Sequence, residues 1–107
     1  MTIEVRSKRP DRVEKQIIEA LRKYQEVHPR AEIAEYRQNS VSVRVRIVNE
    51  EFVNKSRSQR EDEVWAALSP LPEETTAEIS LLLLLTPAEA KNSFASFEFD
   101  NPTPSRI

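Results

Sequence analysis

Ile79-Ser80-Leu81-Leu82-Leu83-Leu84-Leu85 is the longest apolar run in the chain, and Thr86-Pro87 closes it. Seven residues fall well short of the ~20 needed to cross a bilayer as a helix. The Glu73-Glu74-Thr75-Thr76 cluster before the run and Pro87 after it are breakers, so it does not belong to a longer helix. A strand buried on both faces fits best, because apolar–polar alternation disappears where neither face meets water. The rest of the chain has to pack against this strand or beside it.

Composition removes several function classes. The 107 residues include no cysteine, which excludes disulfides, thiolate catalysis and cysteine-ligated zinc or iron–sulfur sites within this chain. They include no glycine either, so the glycine-rich cradles that hold phosphates in P-loop, dinucleotide and KH sites cannot be built. The length suits one domain. We place it at residues 10–99, after a loose segment 1–9 in which Ile3 and Val5 alternate and can add a short edge strand, and before a disordered tail 100–107 containing Pro102 and Pro104. The polar, basic start from Met1 to Pro10 shows no signal peptide or span, and a cytoplasmic location without membrane association is expected. The net charge of −2 hides an asymmetry: residues 1–60 carry a balance of +5 and residues 61–107 one of −7. Such polarity suits either nucleic acid or an oppositely charged protein.

The spacing predicts a helix from Pro10 or Asp11 to Val27, with Asp11 and Glu14 at capping-box distance and Val13, Ile17, Ile18, Leu21 and Tyr24 on one face. A strand follows over 30–36, with either Ala31 and Ile33 or Ala34 and Tyr36 inward. After the polar turn Arg37–Ser40, Val41, Val43, Val45 and Ile47 alternate with Ser42, Arg44 and Arg46, as in a half-buried strand paired in a hairpin. Ser56/Gln59 and Ser58/Glu61 both offer capping boxes for a second helix, ended by Ser69-Pro70-Leu71-Pro72. The intervening helix makes the leucine strand parallel to the preceding one through a right-handed crossover. The expected fold class is α+β: a two-layer sandwich in helix-strand-strand-helix-strand order. Both helices lie on one face of a three-stranded mixed sheet, to which a C-terminal segment can add a fourth strand.

Phe52, Lys55, Ser56, Arg60, Val64 and Trp65 fall in the register of a motif found in the BolA-like family, which the chain resembles over roughly residues 12–90. Thr86-Pro87-Ala88-Glu89 is similar to the family's Thr-Pro-x-Glu exit from its last strand. The resemblance implies a variant of the type II KH fold and a small adaptor or regulatory module. In the family, a histidine after the arginine and a cysteine or histidine in the first strand–strand loop help hold a [2Fe–2S] cluster shared with a monothiol glutaredoxin. Glu61 and the short loop Arg37-Gln38-Asn39-Ser40 occupy those places here, and a carboxylate replaces imidazole poorly. No cofactor or metal is therefore expected. Asn54 stands where the family has glycine before the helix, and asparagine tolerates the left-handed conformation best among other residues.

No nucleophile–base pair can be assembled, since His28 is the single histidine and reads as a solvated loop residue, and an enzyme is not expected. The candidate partner-binding residues are Phe52, Lys55, Arg57, Arg60, Glu61 and Trp65, with Glu61 serving first as a capping residue and Trp65 half exposed. The alternative is a KH-like nucleic-acid surface made of Arg44, Arg46, Lys55, Arg57 and Arg60. Against it, no aromatic is interleaved with the basic strand pair for base stacking. The expected partner is a protein of unknown identity, with a monomer favoured over a homodimer. Finally, Ile79, Leu81, Leu83 and Leu85 are expected to face the helices. That leaves Leu82 and Leu84 on the other side, to be covered by residues 93–99 folding back along the sheet.

Overall fold

A computed structural model describes residues 3–102, in the order β1 (Ile3–Val5), α1 (Arg12–Val27), β2 (Glu32–Asn39), β3 (Ser42–Val48), α2 (Arg57–Leu68), α3 (Glu73–Thr76), β4 (Ile79–Leu85), α4 (Pro87–Asn92) and α5 (Phe94–Asp100). The strands form one sheet in the order β1-β2-β3-β4. β2 and β3 are the expected antiparallel hairpin, and β4 runs parallel to β3. The α+β sandwich is thus observed, with four strands. The fourth comes from the N-terminus: Ile3–Val5 pairs parallel to β2, so the segment expected to be loose contributes an edge strand. Of the tail expected to be disordered, Asp100 closes α5, and residues 103–107 lie outside the described part of the chain.

Local signals place α1 well. The Asp11 carboxylate accepts the Glu14 N–H at 2.9 Å, and Glu14 Oε1 accepts the Asp11 N–H at 3.3 Å. Each satisfies a donor that a helix start leaves without an intrahelical partner. At α2 the box in use is Ser56/Gln59 rather than Ser58/Glu61, so Glu61 lies inside the helix and does not cap it. His28 is not a solvated loop residue. It ends α1, stacks on Tyr24 with ring centres 4.4 Å apart, and sets Nδ1 3.1 Å from Glu51 Oε1. Asn54 takes φ 68°, as expected for a chain without glycine.

The main core lies between the sheet and the α1/α2 layer, where Ile17, Leu21, Ile33, Val43, Val45, Ile47, Phe52, Val64 and Leu68 are buried together. Ala31, just before β2, and Ile33 within it join this core, while Ala34 and Tyr36 face the other side. The leucine strand reverses the expected parity. Ile79, Leu82 and Leu84 pack with the helices, and Leu81, Leu83 and Leu85 face away from them. A register shift against β3 causes this: Val43 pairs with Ile79 but Arg44 with Leu81, so Ser80 is an extra, bulged residue. One inserted residue exchanges the two faces for every position beyond it.

The far side of the sheet is covered by the C-terminal segment, which folds back as expected but as helix α5 rather than a strand. It covers Leu81, Leu83 and Leu85 rather than Leu82 and Leu84. Phe99 is fully buried against Ala34, Tyr36 and Leu83, and its carbonyl accepts the Tyr36 hydroxyl at 2.9 Å. The Ser93 side chain accepts the Ser96 N–H at 3.1 Å, which starts this helix one residue after α4 ends.

Candidate functional site along the outer edge of β4

β4 has β3 on one side and no strand on the other among the described residues. The Leu85 carbonyl points towards β3, where it accepts the Asn49 N–H at 2.9 Å. Main-chain groups alternate along a strand, so those of Leu82 and Leu84 point outward. In agreement, the Leu84 carbonyl accepts Arg60 Nη1 at 3.1 Å from outside the sheet. A slot of about 320 Å³ runs along this edge, with Leu82–Leu85 as its floor, Arg57, Arg60 and Glu61 of α2 on one wall and Glu89, Ser93 and Ala95 on the other. Arg57 and Glu61 line the slot, and Trp65 follows at the same spacing of four, one turn further along α2.

The nominated residues separate into used and available groups. Phe52 is fully buried in the core beneath the Arg60 guanidinium, which lies 5.5 Å from its ring centre. Arg60 is spent internally. Its Nε donates to the Lys55 carbonyl at 3.1 Å, and its Nη1 and Nη2 reach the Glu89 carboxylate at 2.6 and 3.3 Å, leaving its side chain only 11 % exposed. The pairing with Arg60, together with the Thr86 backbone N–H, draws the Glu89 carboxyl down to a pKa of about 2. The Lys55 ammonium donates to both oxygens of Glu63, at 2.9 and 2.8 Å. Arg44 and Arg46 lie under α5, paired with Glu98 at 2.8 Å and Asp100 at 3.0 Å, and the Arg46 guanidinium sits 4.8 Å from the Phe99 ring centre. What remains open is Arg57, with a side chain 87 % exposed and 3.5 Å from Glu61, together with Glu61 itself and Trp65 at 38 % exposure.

All five residues proposed for a nucleic-acid surface therefore form ion pairs, and only that of Arg57 with Glu61 leaves a largely exposed cation, so the basic cluster is not assembled as a free surface. The sequence reading missed the partners that consume these charges. Glu89 was legible only as a capping residue of Thr86-x-x-Glu89, a role it also fills. Also missed was the buried pair Glu14 and Glu35, set between α1 and the sheet at 1 % and 0 % exposure. Burial first, then Glu14 beside it, pushes the Glu35 carboxyl up to about 9. Ionised, the two groups are acceptors only; a proton on Glu35 supplies the missing donor. Among the described residues no group of three or more histidine, aspartate or glutamate side chains is arranged to hold a metal ion, and no helix is long and apolar enough to cross a membrane. No protein-family model, curated protein or solved structure matches the chain.

Proposed function

We propose that the chain is a non-enzymatic, BolA-like adaptor or regulatory module that binds a partner protein through the exposed face of α2 and the β4 edge beside it. The observation that carries this reading is the outer edge of β4, which no strand covers among the described residues, beside the exposed Arg57 and Glu61 of α2. Apart from the Leu84 carbonyl, which accepts from Arg60, the outward main-chain groups of this edge have no strand partner among the described residues, and an extended segment of another protein satisfies such groups by adding a strand. One turn further along α2 from Glu61, the half-exposed Trp65 supplies an aromatic anchor. The likeness of Phe52–Trp65 to the BolA-like motif and the shared order of elements support an adaptor role.

Nucleic-acid binding is the competing reading, and it has to rely on Arg57 with little help. The two are separated by titrating isotope-labelled protein with extended peptides selected from a displayed random library, and in parallel with single- and double-stranded oligonucleotides at two salt concentrations. Peptide-induced shifts centred on Glu61, Trp65 and Leu82, reduced in Trp65→Ala, are the expected result. Oligonucleotide binding that weakens steeply with salt and disappears in Arg57→Ala defeats the adaptor reading.

A further inference from the structure

The charge asymmetry takes on a different meaning once the ion pairs are known. Arg37, Arg44, Arg46, Lys55 and Arg60 are all matched by carboxylates. Lys8, Arg9, Arg12, Lys15, Arg22 and Lys23, in contrast, form no ion pair among the described residues. The uncompensated positive charge is thus concentrated at the start and along the outer side of α1, away from the start of α2 and the β4 slot. Here α1 borders an open groove of about 370 Å³ against the end of α2. Its floor is apolar: Ala20 and Ala67 are too small to fill the space between the helices, and Pro70 and Leu71 close it. Arg12, Lys15 and Lys23 stand on its rim against the single carboxylate of Glu19.

We infer that this groove is a second docking surface, one that takes an acidic amphipathic segment of a partner protein. An aliphatic or aromatic side chain enters between Ala20 and Ala67, and flanking aspartates or glutamates meet Arg12, Lys15 and Lys23. Two features select this occupant. The rim carries an excess of unpaired cations, which steers and orients an anionic partner. The floor is apolar and concave, which suits a side chain presented by a helix in a groove. A nucleic acid gains little from this floor, because it offers no aromatic on which a base can stack. An anionic membrane calls for an apolar face that projects into the headgroup region rather than one recessed between helices. The groove shares no residue with the β4 slot, so the inference does not depend on the function proposed above.

The test is fluorescence anisotropy with the full chain and a fluorescein-labelled peptide carrying Leu and Phe at helical spacing among Asp and Glu. The same peptide with Ser in place of Leu and Phe, a single-stranded oligonucleotide and phosphatidylserine vesicles serve as comparison ligands. Saturable binding to the first peptide is expected. It should weaken by about tenfold or more in Lys15→Glu/Lys23→Glu, whose surface positions spare the core, and by a similar factor for the Ser-substituted peptide. Ala67→Gln, which fills the groove, should weaken binding at every salt concentration; if that variant melts early, the lysine variant alone decides. Absence of saturable binding, equal affinity for the Ser-substituted peptide, an unchanged lysine variant, or preference for the oligonucleotide or vesicles each overturns the inference.

Discussion

The two faces of the sheet bury strands of one hairpin and one leucine run by different means. On the helix side, α1 and α2 close over a continuous aliphatic layer, with Ile17, Leu21, Val43, Val45 and Ile47 all but inaccessible. On the other side a helix of seven residues covers a small cluster centred on Phe99. The Arg6 and Arg46 guanidinium groups lie 5.1 and 4.8 Å from the centre of that ring, and both reach Asp100. The first face is held by burial of apolar area. The second adds charge-assisted contacts and a buried hydroxyl–carbonyl bond to compensate for its small size. The lesson is that strand arginines are no sign of an open surface when acidic residues lie 50 or so positions later in the chain.

This contrast can be broken from either side. Leu21→Ala, in the thick core, is expected to cost about 3–4 kcal/mol and to lower the melting temperature of the whole domain, as read by thermal unfolding. Phe99→Ala should cost less, about 2–3 kcal/mol, because a single short helix can settle or detach. Its distinguishing result is early hydrogen exchange confined to residues 93–102; a cooperative loss as large as that of Leu21→Ala would mean that the two faces are one core.

The Glu14–Glu35 pair sharpens the comparison through pH, since it lies on the helix side. The folded chain keeps on Glu35 a proton that the unfolded chain releases above about 4.5, the ordinary value, up to about 9. The folded state therefore binds more protons in that window, and stability falls as pH rises through it. Glu35→Gln does not titrate, so its melting temperature relative to the unsubstituted chain should climb between pH 5 and pH 8. A constant difference would show that Glu35 titrates normally. The smallest effect belongs to Glu89, whose carboxyl is about half exposed. Its lowered pKa contributes stability above about 4.5 that is lost as pH falls towards 2. Glu89→Gln should lower the melting temperature slightly at pH 7 and not at all near pH 2.

Much of the fold was legible because its signals are local. Asp11 and Glu14, Ser56 and Gln59, and Thr86 and Glu89 mark helix starts through contacts three residues apart. The alternation of Val43, Val45 and Ile47 names a buried face directly, and Asn54 takes the left-handed turn in a chain that has no glycine. The site was less legible. Arg57 and Trp65 are exposed on α2, the helix the sequence predicts for them, but Glu61 does not cap that helix, and the edge beside Arg57 and Glu61 was not foreseen. The leucine run reads as a strand buried on both faces, and it is, by α1 and α2 on one side and α5 on the other, but burial of the faces says nothing of the strand's edge, which no further strand covers among the described residues.

Sequence by itself therefore settled the α+β class, the hairpin and the parallel strand after the second helix, the start of α1, and that of α2 to within two residues, whereas α3 and α5 were not foreseen as helices. Tertiary structure alone settled which leucines face which layer, because one bulged residue at Ser80 inverts the pattern without altering composition or periodicity. It also settled which cations remain available. The pairs Arg60–Glu89, Arg44–Glu98 and Arg46–Asp100 join residues 29 to 54 positions apart. Attraction over such separations depends on where the folded backbone brings the two charges, and no local pattern encodes that.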